Sequence, residues 1–302
     1  MPTKPYTIAA RASSNKHALA YLALLAAIVC ISWSAIFVRW TDVPGSVSAF
    51  YRMLIPSTIL LPTFFWRQNA KPLSRRSIGI IAVGGIFFAL DLAFYNSSIR
   101  RTSAANATLL GNNSPIFVGL LSWLLLRRRP QNSFWIGLLL AGGGSLVIVR
   151  YDLLRHTQFG VGDAMSVGAA LFFAIYLLAT EEVRTAIGTL QFLRLAMLST
   201  TVALLLINLA LSNSFRVANA HTWAALIGLG LISQLGGYMA LTYAMGHLPA
   251  TITSISLLTQ GPLAAVLLHE PLSAAQVAGG LLVLVGIGVA HRKRHPEDEA
   301  NV

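Results

Sequence analysis

Charge is the first thing this sequence is short of. Only 11% of its 302 residues are charged, and acidic side chains number ten. Lysine is confined to Lys4, Lys16, Lys71 and Lys293, all outside the long apolar stretches. A lone cysteine, Cys30, excludes an internal disulfide. No GxxxxGK[ST] loop is present, so the chain itself is not an ATP-driven pump. His269-Glu270 begins an HExxH pattern, but residue 273 is serine and the second zinc ligand is missing. No metal site and no cofactor are expected.

What fills the space is hydrocarbon. Hydrophobic residues make up 55% of the chain, and mean hydropathy is +0.67, far from the balance of a soluble domain. Apolar runs long enough to cross a bilayer as helix fall near 18–38, 46–66, 77–98, 103–126, 133–150, 160–180, 188–211, 221–243, 248–268 and 274–291. The expectation is an all-α polytopic membrane protein with ten transmembrane helices. The first run has no convincing small-x-small cleavage site before Arg39 and is read as a retained span. Residues 1–17 and 292–302 are read as tails.

The net charge of +12 is a topology signal rather than a nucleic-acid one. With the N-terminus inside, Arg67, Lys71, Arg75, Arg76, Arg127, Arg128, Arg129, Arg184 and Arg292 to Arg294 share its side. Far fewer, among them Arg39, Arg100, Arg101 and Arg216, lie outside. The positive-inside rule then places both termini in the cytoplasm.

The pattern of spans one to five restarts after the loop at 151–159. Arg194 answers Arg52 at an offset of 142, and ALTYAMGHLPATITSISLL answers FYNSSIRRTSAANATLL at 146. Residues 18–150 and 160–291 therefore form two five-span repeats. Five is odd, so the second enters the membrane upside down: a 5+5 inverted repeat, which puts a cargo site near the midplane where the halves meet. Gly137, Ala141 and Ser145 in span five have small-xxx-small spacing and are read as packing.

These features resemble the drug/metabolite transporter superfamily, in its EamA-like branch of ten-helix permeases. The resemblance is carried by the Trp33 region, FYRML (50–54), SIRRTSAANATLLGNNSP ending at Pro115, GVGDAMSVGAALFFAIYLL (160–178) and HEPLSAAQVAGGLLVLVG (269–286). Within that branch the chain looks closest to YddG-type exporters of aromatic amino acids. The resemblance implies a secondary transporter, not an enzyme, in a bacterial-type inner membrane. It would export neutral or aromatic amino acids by alternating access, as a monomer or weak homodimer, with the bilayer and a small-molecule substrate as its partners and no nucleic acid. Drugs or phosphorylated metabolites on the same fold are the alternative cargo. RRRP at 127–130 departs from the family, which often has an acidic residue there, so its counterpart Glu270 is given no shared role.

Polar side chains in hydrocarbon mark candidate contacts. Asp91, the only carboxylate near the middle of a span, shares a helix face with Tyr95 and serves either a substrate amino group, a proton or a structural hydrogen bond. Gln234 and Tyr238 form the comparable face of span eight. Asn112 and Asn113 in span four and Gln260 in span nine complete the polar set. Trp33 and Tyr176 are candidates to stack on an aromatic substrate, with packing the other reading. Arg52 and Arg194, each about two turns from a span end, are expected to snorkel and act as structural or gating groups, with Pro115 and Pro262 as paired helix breakers. Asp152 and Asp163 look like a protease aspartate pair in sequence, but they flank one short loop rather than facing each other from two helices.

Overall fold

A computed structural model describes residues 6–64, 73–102, 107, 110–155, 160–184, 186–260 and 274–290. Pro262 lies outside them. Every element among the described residues is helical, as hydrocarbon demands: backbone N–H and C=O groups must be satisfied within the segment.

Span one is α1 (Tyr6–Ser32) and α2 (Ser34–Arg39), broken at Trp33. The helix starts at Tyr6, inside the stretch read as a tail; after Pro5 nothing in ARASSNKHA stops a helix, and its alanines favour one. Span two is α3 (Gly45–Leu60). Span three is α4 (Arg75–Ser98), which opens on Ser74, whose hydroxyl accepts from the Ser77 amide. Then come α5 (Ser114–Leu124) in span four, α6 (Asn132–Arg155), α7 (Val161–Arg184) and α8 (Thr189–Ala210). Span eight is continuous but uneven: α9 (Ala220–Gly228), a π-helical segment (Leu229–Gly237) and α10 (Tyr238–Met245). Span nine is α11 (Ala250–Ser256) followed by a 3₁₀ turn (Leu257–Thr259), and span ten is α12 (Ala274–Ala290). Among the described residues, five helices are long and apolar enough to cross a membrane unaided: 18–39, 75–98, 161–184, 189–210 and 220–245.

The packing repeats along with the sequence. Span three lies along six and seven, and span eight lies along one and two; two packs on seven, and five on ten. Exchanging each span for the one five places on leaves this set unchanged, as the two-fold relation of a 5+5 inverted repeat requires. Spans five and ten make the closest approach. A methyl group added at Gly286 would sit 2.6 Å from the Ala141 nitrogen and the Gly137 oxygen, and one at Gly144 would lie 2.8 Å from the Val283 nitrogen. Small residues drive helix association in lipid by letting backbones touch, so the packing reading of this stripe is what the coordinates show.

Two polar layers define the faces. On one, Arg76 pairs with Glu182 at 3.4 Å, and Arg128 lies 3.8 Å from both Glu181 and Glu182. This is the arginine-rich face. On the other, Thr102 donates to Asp163 at 2.8 Å and Asn219 to Asp42 at 2.8 Å. Asp163 also accepts from the Gly160 amide, so it fastens the start of α7. The exposed Asp42 carboxyl is held below its usual range by its hydrogen bonds from Asn219 and Thr222. Nearby, Ser46, Asn208 and Asn213 form a buried network joining spans two and seven.

Candidate functional site

Backbone irregularities converge on one place. Span one breaks at Trp33, span four turns at Asn112-Asn113 before Pro115, span eight widens into the π segment, and span nine tightens into 3₁₀ at Leu257–Thr259. Non-helical backbone at membrane depth is tolerated only where protein or water covers it, and these four places surround a cavity of about 70 Å³. Ser32, Ser34, Arg52, Asp91, Tyr95, Asn112, Ser114 and Gln260 give it polar walls, with Phe173 and Tyr238 as aromatic ones.

Arg52 is the centre of the site, and here the expectation of a snorkelling arginine fails. Its side chain is only 2% exposed. Nε donates to Gln234 Oε1 at 2.8 Å and Nη1 to Ser34 Oγ at 2.8 Å, while the guanidinium carbon lies 5.5 Å from the centre of the Tyr238 ring. The reason is local. Gly45 opens α3 so close to span three that an added methyl would meet the Asn96 backbone at 2.5 Å, so the helix end is roofed by protein. The break at Trp33 brings Ser34 within reach, and the π segment does the same for Gln234. Its glycines permit this: a Cβ at Gly237 would sit 2.7 Å from Ile31. Arg52 is also the largest fully buried side chain among the described residues.

Asp91 faces the same cavity, 8% exposed. Among the described residues its carboxyl group accepts no hydrogen bond and has no cation within 4.0 Å, although Arg52 lines the same cavity. A guanidinium and a carboxyl group thus share one small chamber without direct contact. In a low-dielectric surround such groups interact strongly with any polar guest.

The expected residues divide. Asp91, Tyr95, Asn112, Tyr238 and Gln260 line the cavity; Gln234, 1% exposed, stands behind Arg52 and orients it. Asn113 is the residue before α5 and Pro115 occupies its first turn, so both shape the break rather than the wall. Trp33 is not on the wall either: it stacks on Phe37 at 6.0 Å, in a separate apolar cluster. Tyr176 is buried in an aromatic stack, 4.2 Å from Phe88, with Tyr238 4.8 Å from Phe88 in turn. Packing wins at both positions because neighbouring rings already cover them. Arg194 is half-buried and donates to the Thr63 carbonyl, away from the cavity, as a snorkelling arginine would. Ser114 is one more polar group of span four on the wall, while Ser32, Ser34 and Phe173 are wall residues that the sequence marks only by Ser32-Trp33-Ser34 interrupting an apolar run.

The aromatic stack sits on one side of the cavity. Phe88 is one turn from Asp91 toward the Arg75 end of α4, and Tyr176 is one turn from Phe173 toward the Arg184 end of α7. Both directions lead to the arginine-rich face, so Phe88, Tyr176 and Tyr238 close that route.

Comparison with known proteins agrees with this architecture. The chain is 27% identical to a pseudopaline exporter of Pseudomonas aeruginosa strain UCBPP-PA14, over 80% of this chain and 84% of the relative. It is 25% identical to an uncharacterized transporter of Archaeoglobus fulgidus, covering 90% and 98%, and 26% identical to an uncharacterized inner membrane transporter of Escherichia coli K12, covering 83% and 81%. A solved crystal structure superposes with a TM-score of 0.70 at 19% identity, over 90% of this chain and 96% of the other, which shows a shared fold. Residues 18–150 and 160–291 each match one and the same transporter domain. A ten-span pair of repeats around a polar chamber is thus the work of a multi-pass membrane transporter and not an enzyme, and the chain belongs to the EamA-like transporter family.

Proposed function

We propose that the chain exports neutral and aromatic amino acids by alternating access through the Arg52–Asp91 cavity. The observation that carries this is the juxtaposition itself: a guanidinium held by Gln234 and Ser34 and a carboxylate without a hydrogen-bond partner among the described residues line one chamber. Arg52 offers its remaining N–H donors to a carboxylate, Asp91 accepts an ammonium, and Phe173, Tyr95 and Tyr238 meet the side chain. The resemblance to YddG-type exporters read from the sequence favours the same cargo. At about 70 Å³ the chamber is smaller than the roughly 150 Å³ that admits a benzene ring, so the halves part to load an aromatic cargo. The arginine-rich face is the cytoplasmic one in this reading, with both termini there, and flux is facilitated rather than coupled to protons.

Reconstitution in liposomes with labelled phenylalanine, threonine and methionine tests this. Absence of flux above empty vesicles for all three would remove the amino-acid reading. Likeness to a pseudopaline exporter favours a second reading, export of pseudopaline or a compound like it, and drugs or phosphorylated metabolites on the same fold are the further alternative. Competition of such compounds against phenylalanine flux separates the two.

A further inference from the structure

A second cavity opens at the arginine-rich face and encloses about 300 Å³, more than the central chamber. It lies where the end of α5, the start of α6, the end of α7, the start of α11 and the end of α12 meet, so both repeats build it. Arg128, Arg129, Gln131 and Glu181 form its polar rim, and Phe134 and Ile252 its apolar floor. Arg128 Nη1 lies 3.8 Å from Glu181 Oε1. That is close enough to attract and too far to hydrogen bond; Arg128 stands equally far from Glu182 and Glu181 also accepts from the Ala250 backbone amide, so the pair leaves both groups with capacity for a ligand. Arg129 is spread over the Trp123 ring at 5.5 Å, which fixes a second guanidinium at the rim.

We propose that this cavity is a vestibular binding site for a small zwitterionic amphipath, taken up on its way to the central chamber. The ligand carboxylate engages Arg128 and Arg129, its ammonium engages Glu181, and its apolar group lies on Phe134 and Ile252. Because Arg128 and Glu181 also tie the loop after α5 in one repeat to α7 of the other, an arriving ligand exchanges an inter-repeat ion pair for two bonds to itself. Loading therefore loosens the closed face. The proposal rests on the amino-acid reading for its ligand class and on a different cavity for its residues.

The full chain in liposomes, with phenylalanine presented from one face at a time, tests it. Arg128→Gln and Glu181→Gln each raise KM from the arginine-rich face about tenfold and leave KM from the opposite face within about twofold. The charge swap Arg128→Glu with Glu181→Arg keeps KM raised, because the ligand meets reversed charges; recovery to the wild-type KM would reduce the pair to a structural tie and overturn the site. Equal KM shifts from both faces would overturn it as well. Independently of flux, Trp123 under Arg129 and Trp135 beside Phe134 report occupancy when purified protein is titrated with phenylalanine. A fluorescence change lost in Arg128→Gln and retained in Asp91→Asn supports the site. Normal flux with no Arg128-dependent signal and no KM shift removes the vestibule alone. An Arg128-dependent signal without flux removes the transport reading alone, and neither signal nor flux removes both.

Discussion

Arg52 and Arg194 occupy matching places in the two repeats and meet opposite fates. Arg52 is sealed inside the protein by Ser34, Gln234 and Tyr238; Arg194 reaches out to a backbone carbonyl near the end of span two. The helix around each looks alike in sequence. What differs is the cover: the N-terminus of α3 is roofed by span three at Asn96, whereas Arg194 lies five residues into α8, which starts at Thr189 on the arginine-rich face. Duplication supplied two equivalent arginines, and tertiary context made one a cavity group and the other an anchor.

The largest effect that would break this contrast is on Arg52. Arg52→Gln is expected to lower phenylalanine flux in liposomes by about a hundredfold, since charge-assisted bonds to the ligand are each worth roughly 1.5–3 kcal/mol. Arg52→Lys restores little, because an ammonium lacks the planar fork that spans Ser34, Gln234 and a ligand carboxylate. Arg194→Gln is expected to stay within about threefold of wild type; equal losses at both positions would erase the distinction.

Asp91→Asn comes next, with flux of zwitterions reduced about tenfold and no dependence on an imposed pH gradient in either protein. A pH dependence in the wild type that vanishes in Asp91→Asn would make the carboxylate a proton carrier and end the facilitated reading. Gln234→Leu sharpens the comparison differently. It removes the acceptor that aims Arg52 and leaves a buried donor unpaired, at a cost of about 1–3 kcal/mol, read as a lower thermal midpoint together with a raised KM.

The smallest effect is at Asp42. Its folded pKa is below the ordinary 3.8, so its hydrogen bonds to Asn219 and Thr222 add stability that is present above that value and lost as pH falls through the lower, folded one. Asp42→Asn should flatten that acid limb in a thermal-shift series and change nothing near neutrality. An unchanged acid limb would leave the carboxylate without a part in holding the loop.

The sequence was most legible where one physical rule acts alone. Hydrocarbon length located the spans, and an odd-numbered repeat implied inversion. Asp91, Tyr95, Asn112, Tyr238 and Gln260 stood out as polar groups in apolar runs, and the structure brings all five to one wall. Where two forces compete, sequence is silent. An aromatic residue gains as much from a neighbouring ring as from a ligand, so Trp33 and Tyr176 were ambiguous until Phe37 and Phe88 were seen beside them. The depth of Arg52 depends on what roofs the helix, and the π segment of span eight depends on glycines finding close partners in spans one and two. Both are properties of packing at long sequence range. The second cavity was hidden for the same reason, since its lining is assembled from four separate stretches of chain.

The bare seam between spans five and ten has a bearing on how this protein is able to vary. At Gly137, Gly144 and Gly286 any added carbon strikes the opposite main chain, so those sites reject every other amino acid whatever the cargo. None of these three glycines lines the chamber. Selection for a new solute is thereby free to act on the lining while the frame that supports it stays fixed.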